Sequence, residues 1–201
     1  MAKRVLSLAV LGALALVAAP KASEAQVSVT PFVGYYAPLG TLLKDGDTEV
    51  GSTQGAMVFG GRLGLATPGP WGFEASVAYS DAGLEAGSAE VDGNVMILSG
   101  RALYRLGGLG PSGTLHAGAG LAYVMRGGDF WDEVAEAEVD GIDDFGGTIG
   151  LGAKFSLSQM MSIRVDVEDF IYSGEIHNDV DATESTLQND LMLSAGLNFG
   201  F

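Results

Sequence analysis

The chain has 201 residues, a formal charge of −15, no cysteine and 31 glycines, the last roughly twice the usual share. That length suits one domain and hardly two, and the missing cysteine removes disulfides, thiolate nucleophiles and thiolate metal sites. With 10 basic against 25 acidic side chains, nucleic acid is excluded as a partner, because its phosphates must be neutralised by lysine and arginine.

Residues 1–25 carry Lys3 and Arg4, an apolar run over 5–19, then Ser23 and Ala25 in small-x-small spacing. That order is a secretory signal, with cleavage expected after Ala25. The run is shorter than the roughly 20 residues a membrane-spanning helix needs. The mature domain is expected over 26–201. No later apolar stretch reaches helix-spanning length, so any membrane crossing must use strands of about 9 to 11 residues, and these show as a period of two.

Eight such runs follow. In 26–37, Val27, Val29, Val33 and Tyr35 alternate with Gln26, Ser28 and Thr30. In 54–67, Met57, Phe59, Leu63 and Leu65 oppose Gln54, Arg62 and glycines. In 71–80, Trp71, Phe73, Ala75, Val77 and Tyr79 oppose Gly72, Glu74, Ser76 and Ser80. In 94–106 hydrophobicity alone is ambiguous; turning Met96, Leu98, Ala102 and Tyr104 outward puts Ser99, Arg101 and Arg105 inside. Residues 114–126 set Leu115, Leu121, Tyr123 and Met125 against Thr114, His116 and Arg126. Residues 145–157 set Phe145, Ile149, Leu151 and Phe155 against Thr148, Lys154 and glycines. Residues 161–172 alternate Ile163, Val165 and Val167 with Arg164, Asp166 and Glu168. The last run sets Leu191, Leu193, Leu197, Phe199 and Phe201 against Gln188, Asp190, Ser194 and Asn198.

The connections alternate as well: short and uncharged after runs 2, 4 and 6, long and acidic after runs 1, 3, 5 and 7. Short turns at one end and long loops at the other mark an outer-membrane barrel, with both termini on the periplasmic side. A soluble ligand-binding barrel would put its apolar face inside instead. Charges in mid-run beside glycines, aromatics at strand ends and a last strand that runs to the terminal Phe201 favour lipid outside. The expected fold is all-β: an eight-stranded antiparallel up-and-down transmembrane β-barrel.

On these residues the chain resembles the small eight-stranded outer-membrane barrels typified by OmpX and the transmembrane domain of OmpA, over the whole of 26–201. Ser194, Gly196, Phe199 and Phe201 match the terminal assembly signal of that family. The resemblance implies a bacterial outer-membrane location, recognition of the last strand by the barrel-assembly machinery, and Phe201 facing lipid at the periplasmic interface. Unlike the full OmpA architecture, no peptidoglycan-binding domain is expected after the barrel.

Three groups of residues are candidates for function. Arg62, Arg101, Arg105, Arg126, Lys154 and Arg164 face inward with Glu74, Asp166, Glu168 and Asp190. Eight strands leave a bore just wide enough for side chains, and an unpaired buried charge costs several kcal/mol, so these groups are expected to pair into a plug; a gated ion path is the sharper alternative. In the loops, Asp45, Asp47 and Glu49, and Asp140, Asp143 and Asp144, offer the hard oxygen ligands that divalent cations prefer. The EF-hand spacing fails there, since Val50 stands at the glycine position and Ala56 at the glutamate position, so solvated loops are the plainer reading. His177, with Ser173 or Ser185 nearby in sequence, and His116 within a strand have no fixed catalytic partner. The paired glycines Gly118 with Gly120 and Gly150 with Gly152 lie within strands and lead into no helix, so they are not phosphate loops; they make space in the bore.

The reading adopted is a monomeric, non-enzymatic barrel without cofactor, acting structurally and through acidic surface loops that engage divalent cations, lipopolysaccharide or surface partners. A narrow pore or a route for small hydrophobic solutes is one alternative, and a lipid A-modifying enzyme the other.

Overall fold

The computed structural model describes residues 26–39, 43–45, 48–53, 55–82, 84–86, 89–91, 93–127, 143–174 and 186–201. Every regular element among them is a strand: β1 (Gln26–Pro38), β2 (Leu43–Asp45), β3 (Thr48–Thr53), β4 (Ala56–Ala66), β5 (Trp71–Ser80), β6 (Leu84–Ala86), β7 (Ala89–Val91), β8 (Asn94–Leu109), β9 (Gly113–Gly127), β10 (Asp143–Ser156), β11 (Met161–Gly174) and β12 (Thr186–Gly200). Eight of them close into one antiparallel barrel, in which β4, β5, β8, β9, β10, β11 and β12 follow β1 around the ring and β12 returns to β1. These are the eight alternating runs of the sequence. The expected signal segment, 1–25, lies outside the described residues.

Closure follows from the solvent. Hydrocarbon offers no hydrogen bond to a peptide group, and each orphaned group costs several kcal/mol, so an edge cannot face lipid. The seam pairs Val29 with Phe199, Gly34 with Ser194 and Tyr35 with Leu193, and skips Thr30 and Pro31, where proline has no N–H to give. Past the end of β12, the Phe201 N–H donates to the Val27 carbonyl at 2.9 Å. The terminal residue thus extends the seam to the rim.

The wall is apolar outward. Phe145, Leu151 and Leu121 are 65, 60 and 59% exposed, while Arg62 and Glu168 are 1 and 0% exposed. That is the inverse of a soluble barrel. On the outer surface Trp71 meets Tyr104 edge-on with centroids 4.9 Å apart, near the turns, and Phe59 meets Tyr79 at 5.3 Å, near the loops. Both places suit the aromatic girdles of a membrane interface.

The short turns sit at the end where β1 begins and β12 ends. Gly110, with φ of 65°, turns β8 into β9, a backbone state that side chains with a Cβ avoid. Ser158 Oγ accepts from the Met161 N–H at 3.1 Å to fix the β10–β11 turn. At the opposite end, the first two long connections pair with each other: β2, β3, β6 and β7 form a second, four-stranded sheet, joined where Ser52 faces Glu85 and Thr53 faces Leu84.

The bore is divided along its length. Towards the loops its lining is apolar, with Val58, Ile97, Val124, Phe170 and Met192 buried together with Phe32 and Ala122. Towards the turns it is ionic. Placing an arginine on the lipid face near the middle of the wall tests the inside–outside assignment: Leu151→Arg is expected to lower stability in bilayers by about 2–4 kcal/mol, measured by urea unfolding from lipid vesicles.

Candidate functional site

In β11 the residues Arg164, Asp166 and Glu168 lie two apart, so the pleat sends all three into the bore. Arg62 from β4, Glu74 from β5 and Arg101 from β8 meet them. Glu74 accepts from Arg101 at 2.6 Å and from Arg164, and lies 3.7 Å from Arg62. Asp166 holds Arg164 at 2.7 Å and lies 3.7 Å from Arg62. Glu168 is paired with Arg62 and, at 2.7 Å, with Arg101. Three guanidinium groups thus face three carboxylates, none of the six residues more than 5% exposed.

Neutral groups complete this network. Arg62 Nη2 donates to Ser194 Oγ at 2.8 Å, and the Arg62 guanidinium lies 3.9 Å from the Phe32 ring centre, a cation–π contact of the desolvated kind. His116 Nε2 is 2.9 Å from Asp166 Oδ1. The ring has room there because its neighbour is Gly152; a Cβ at that position would run into both His116 and Asp166. Nearer the turns, Asn198 donates to Thr30 Oγ1 at 2.7 Å and accepts from Ser162 at 3.2 Å.

A second cluster closes the loop end. Arg126 pairs with Asp144 and donates to Tyr172 Oη at 2.6 Å. Asp190 accepts from the hydroxyls of Tyr172 and Tyr36.

Several sequence-based placements change. Arg105 faces the bore by parity but is exposed at its mouth, donating to the Gly69 carbonyl at 3.2 Å; it lies four residues beyond Arg101 along β8 towards the turn, which puts it past the ionic layer. Lys154 is half-buried, and among the described residues no carboxylate lies within 4 Å of it. Asp190 accepts from two tyrosine hydroxyls, Tyr36 and Tyr172, in the loop-end cluster and does not join the ionic layer. Asp143 and Asp144 belong to β10 and not to a loop: Asp144 is buried against Arg126, and Asp143 accepts from Tyr123 Oη at 2.8 Å. Asp45 and Glu49 fall in β2 and β3. Asp47, Asp140, His177 and Ser185 lie outside the described residues, and Ser173 is exposed near the end of β11. Tyr36, Tyr172 and the His116–Asp166 contact carried no signal in the sequence beyond their inward parity.

A membrane wall of eight closed strands, apolar outside and ionic within, has a counterpart among known families. The model of the outer membrane protein beta-barrel domain matches residues 6–199. The chain belongs to this family. Its place is the bacterial outer membrane, where the wall meets lipid and lipopolysaccharide. Among solved structures it is similar to the outer membrane protein OprG from Pseudomonas aeruginosa, at 13% identity, TM-score 0.59, covering 89% of this chain and 96% of that one. It is also similar to Neisserial surface protein A, at 12% identity, TM-score 0.53, covering 88% and 99%. At such identities the likeness is one of fold. No curated protein matches the chain in sequence.

Within this family member the pair of Arg62 with Glu168 is the most deeply buried of the ion pairs. Removing one partner leaves the layer with an unbalanced buried charge, at a cost of up to about 3–5 kcal/mol, eased by Arg101 beside Glu168 and by Glu74 and Asp166 near Arg62. Arg62→Met and Glu168→Met are each expected to destabilise by that amount, while the double variant loses clearly less than the sum, measured by urea unfolding in lipid vesicles.

Proposed function

We propose that this barrel is a sealed outer-membrane anchor whose working surface is its acidic loop side, engaging divalent cations and, through them, lipopolysaccharide phosphates. The observation that carries the reading is the filled bore. The balanced ionic layer, the apolar layer above it and the Arg126–Tyr172–Asp190 cluster succeed one another along its axis, so recognition falls to what projects from the wall. This favours an interaction role over the narrow pore and over a route for hydrophobic solutes.

The sheet of β2, β3, β6 and β7 supplies a surface for it. Lys44 is opposite Glu49 across β2 and β3, and Glu85 is opposite Glu90 across β6 and β7. Its carboxylates Asp45, Glu49, Glu85 and Glu90 outnumber Lys44, and carboxylate oxygens are the hard ligands a divalent cation prefers. The role needs no enzymatic step and no cofactor. Assembly follows the family route, with the β12 terminus and Phe201 read by the barrel-assembly machinery.

Retention of the folded protein on immobilised lipopolysaccharide is expected to require Mg²⁺ or Ca²⁺ and to be lost with chelator. Glu85→Gln with Glu90→Gln should weaken it about two- to fivefold, the effect of surface charges worth up to about 1 kcal/mol. Retention indifferent to chelator overturns the bridging role.

A further inference from the structure

The periplasmic end of the bore holds a hollow of about 300 Å³, bounded by the β4–β5 turn and by the inner faces of β8 to β11. Four cationic or potentially cationic side chains line it: Arg105, His116, Lys154 and Arg164. Arg164 and His116 are already engaged, by Glu74 and Asp166. Lys154 is not.

The charge count makes that lysine conspicuous. Arg62, Arg101 and Arg164 are matched by Glu74, Asp166 and Glu168, so the ionic layer is neutral without it. Lys154 adds a positive charge to a half-buried place with no carboxylate within 4 Å among the described residues; Glu74 and Asp166, which act on it from farther off, are already paired with arginines. Its cross-strand partner on β11 is Arg164 itself, and on β9 it is Thr114. Two cations directly opposite each other on adjacent strands are destabilising, and a half-buried ammonium needs a counter-charge or acceptor to offset lost hydration. Arg105 stands on the other side of β9, opposite His116. It is exposed at the mouth and uses one N–H for the Gly69 carbonyl; its guanidinium fork has others to offer.

We propose that this vestibule is an anion site that takes a phosphate group, with Lys154 bearing the charge and Arg105 guarding the entrance. Lys154, Arg105 and Thr114 all line the hollow, each can donate to a tetrahedral oxyanion, and charge-assisted bonds of this kind are the strong ones. The hollow is large enough for a phosphate or a small headgroup. Because its rim includes Trp71 and Phe73 of the outer wall, the phosphate can come from a phospholipid of the periplasmic leaflet as well as from solution. The site is independent of the loop surface at the opposite end.

The test uses the barrel, residues 26–201, folded in octyl glucoside, a detergent without phosphate, with ¹⁵N backbone amides followed by NMR during titration with inorganic phosphate and, separately, with dihexanoylphosphatidylglycerol. Saturable shifts at Thr114, His116 and Lys154 are expected, with Lys154→Gln weakening binding about tenfold, as for loss of one charge-assisted partner. A response to inorganic phosphate assigns a free anion, and one confined to the lipid assigns a headgroup. Arg105→Gln, a rim substitution outside the ionic layer, should weaken binding less, and it decides the matter if Lys154→Gln does not fold. The proposal is overturned by the absence of saturable shifts with both probes, by an equal response to chloride at matched ionic strength, or by unchanged affinity in the folded variants.

Discussion

A ring of eight strands has a bore about as wide as the side chains that fill it, and a charge buried there is tolerated only beside an opposite charge among the few others present. Lipid forces the ring to close, since the β1–β12 seam is what removes an unpaired edge from hydrocarbon. Closure then fixes the bore, and the bore fixes the chemistry. Arg62, Arg101 and Arg164 can be buried only because Glu74, Asp166 and Glu168 arrive from β5 and β11 at the same level. Glycine belongs to the same constraint: Gly152 leaves the space that lets His116 approach Asp166.

On the sealed reading proposed above, neutralisation by neighbours sets this interior apart from a conduit. A water-filled pore keeps its charged groups hydrated, whereas these six are almost wholly withdrawn from solvent. Beyond them the apolar lining of Val58, Ile97, Val124, Phe170 and Met192 packs as a core would, so the barrel is filled by two unlike materials in series. The ends differ in turn. One carries the acidic four-stranded sheet, the other a vestibule with an excess of positive charge. This polarity along the axis matches a protein whose two mouths face different compartments.

Much of this order was legible in the chain because pleating turns position into side. The run from Trp71 to Ser80 gives its outer and inner faces by inspection, and the inward parity of Glu74, Arg101, Arg164, Asp166 and Glu168 follows from the same period. What alternation cannot give is level. Whether Arg105 joins the ionic layer or hangs at the mouth depends on the stagger of β8 against its neighbours, a property of strands together. The β10 boundary hid for a similar reason: Asp143 and Asp144 read as loop carboxylates, yet Tyr123 and Arg126 on β9 draw them into the ladder. Where both faces are apolar, as around Val58, Ile97 and Met192, hydrophobicity loses its sign and the inner layer cannot be seen from sequence. The pairing of the first two long connections through Ser52 and Glu85 is likewise non-local.

The central claim is that the three buried arginines and three buried carboxylates of the ionic layer neutralise one another and thereby shut the bore. Planar-bilayer recording of the folded protein tests it most directly. The account predicts no steady conductance at any moderate voltage and, when Arg62 and Arg101 are both replaced by alanine in protein that still folds, the appearance of current. A stable ohmic current through the unmodified barrel would contradict it.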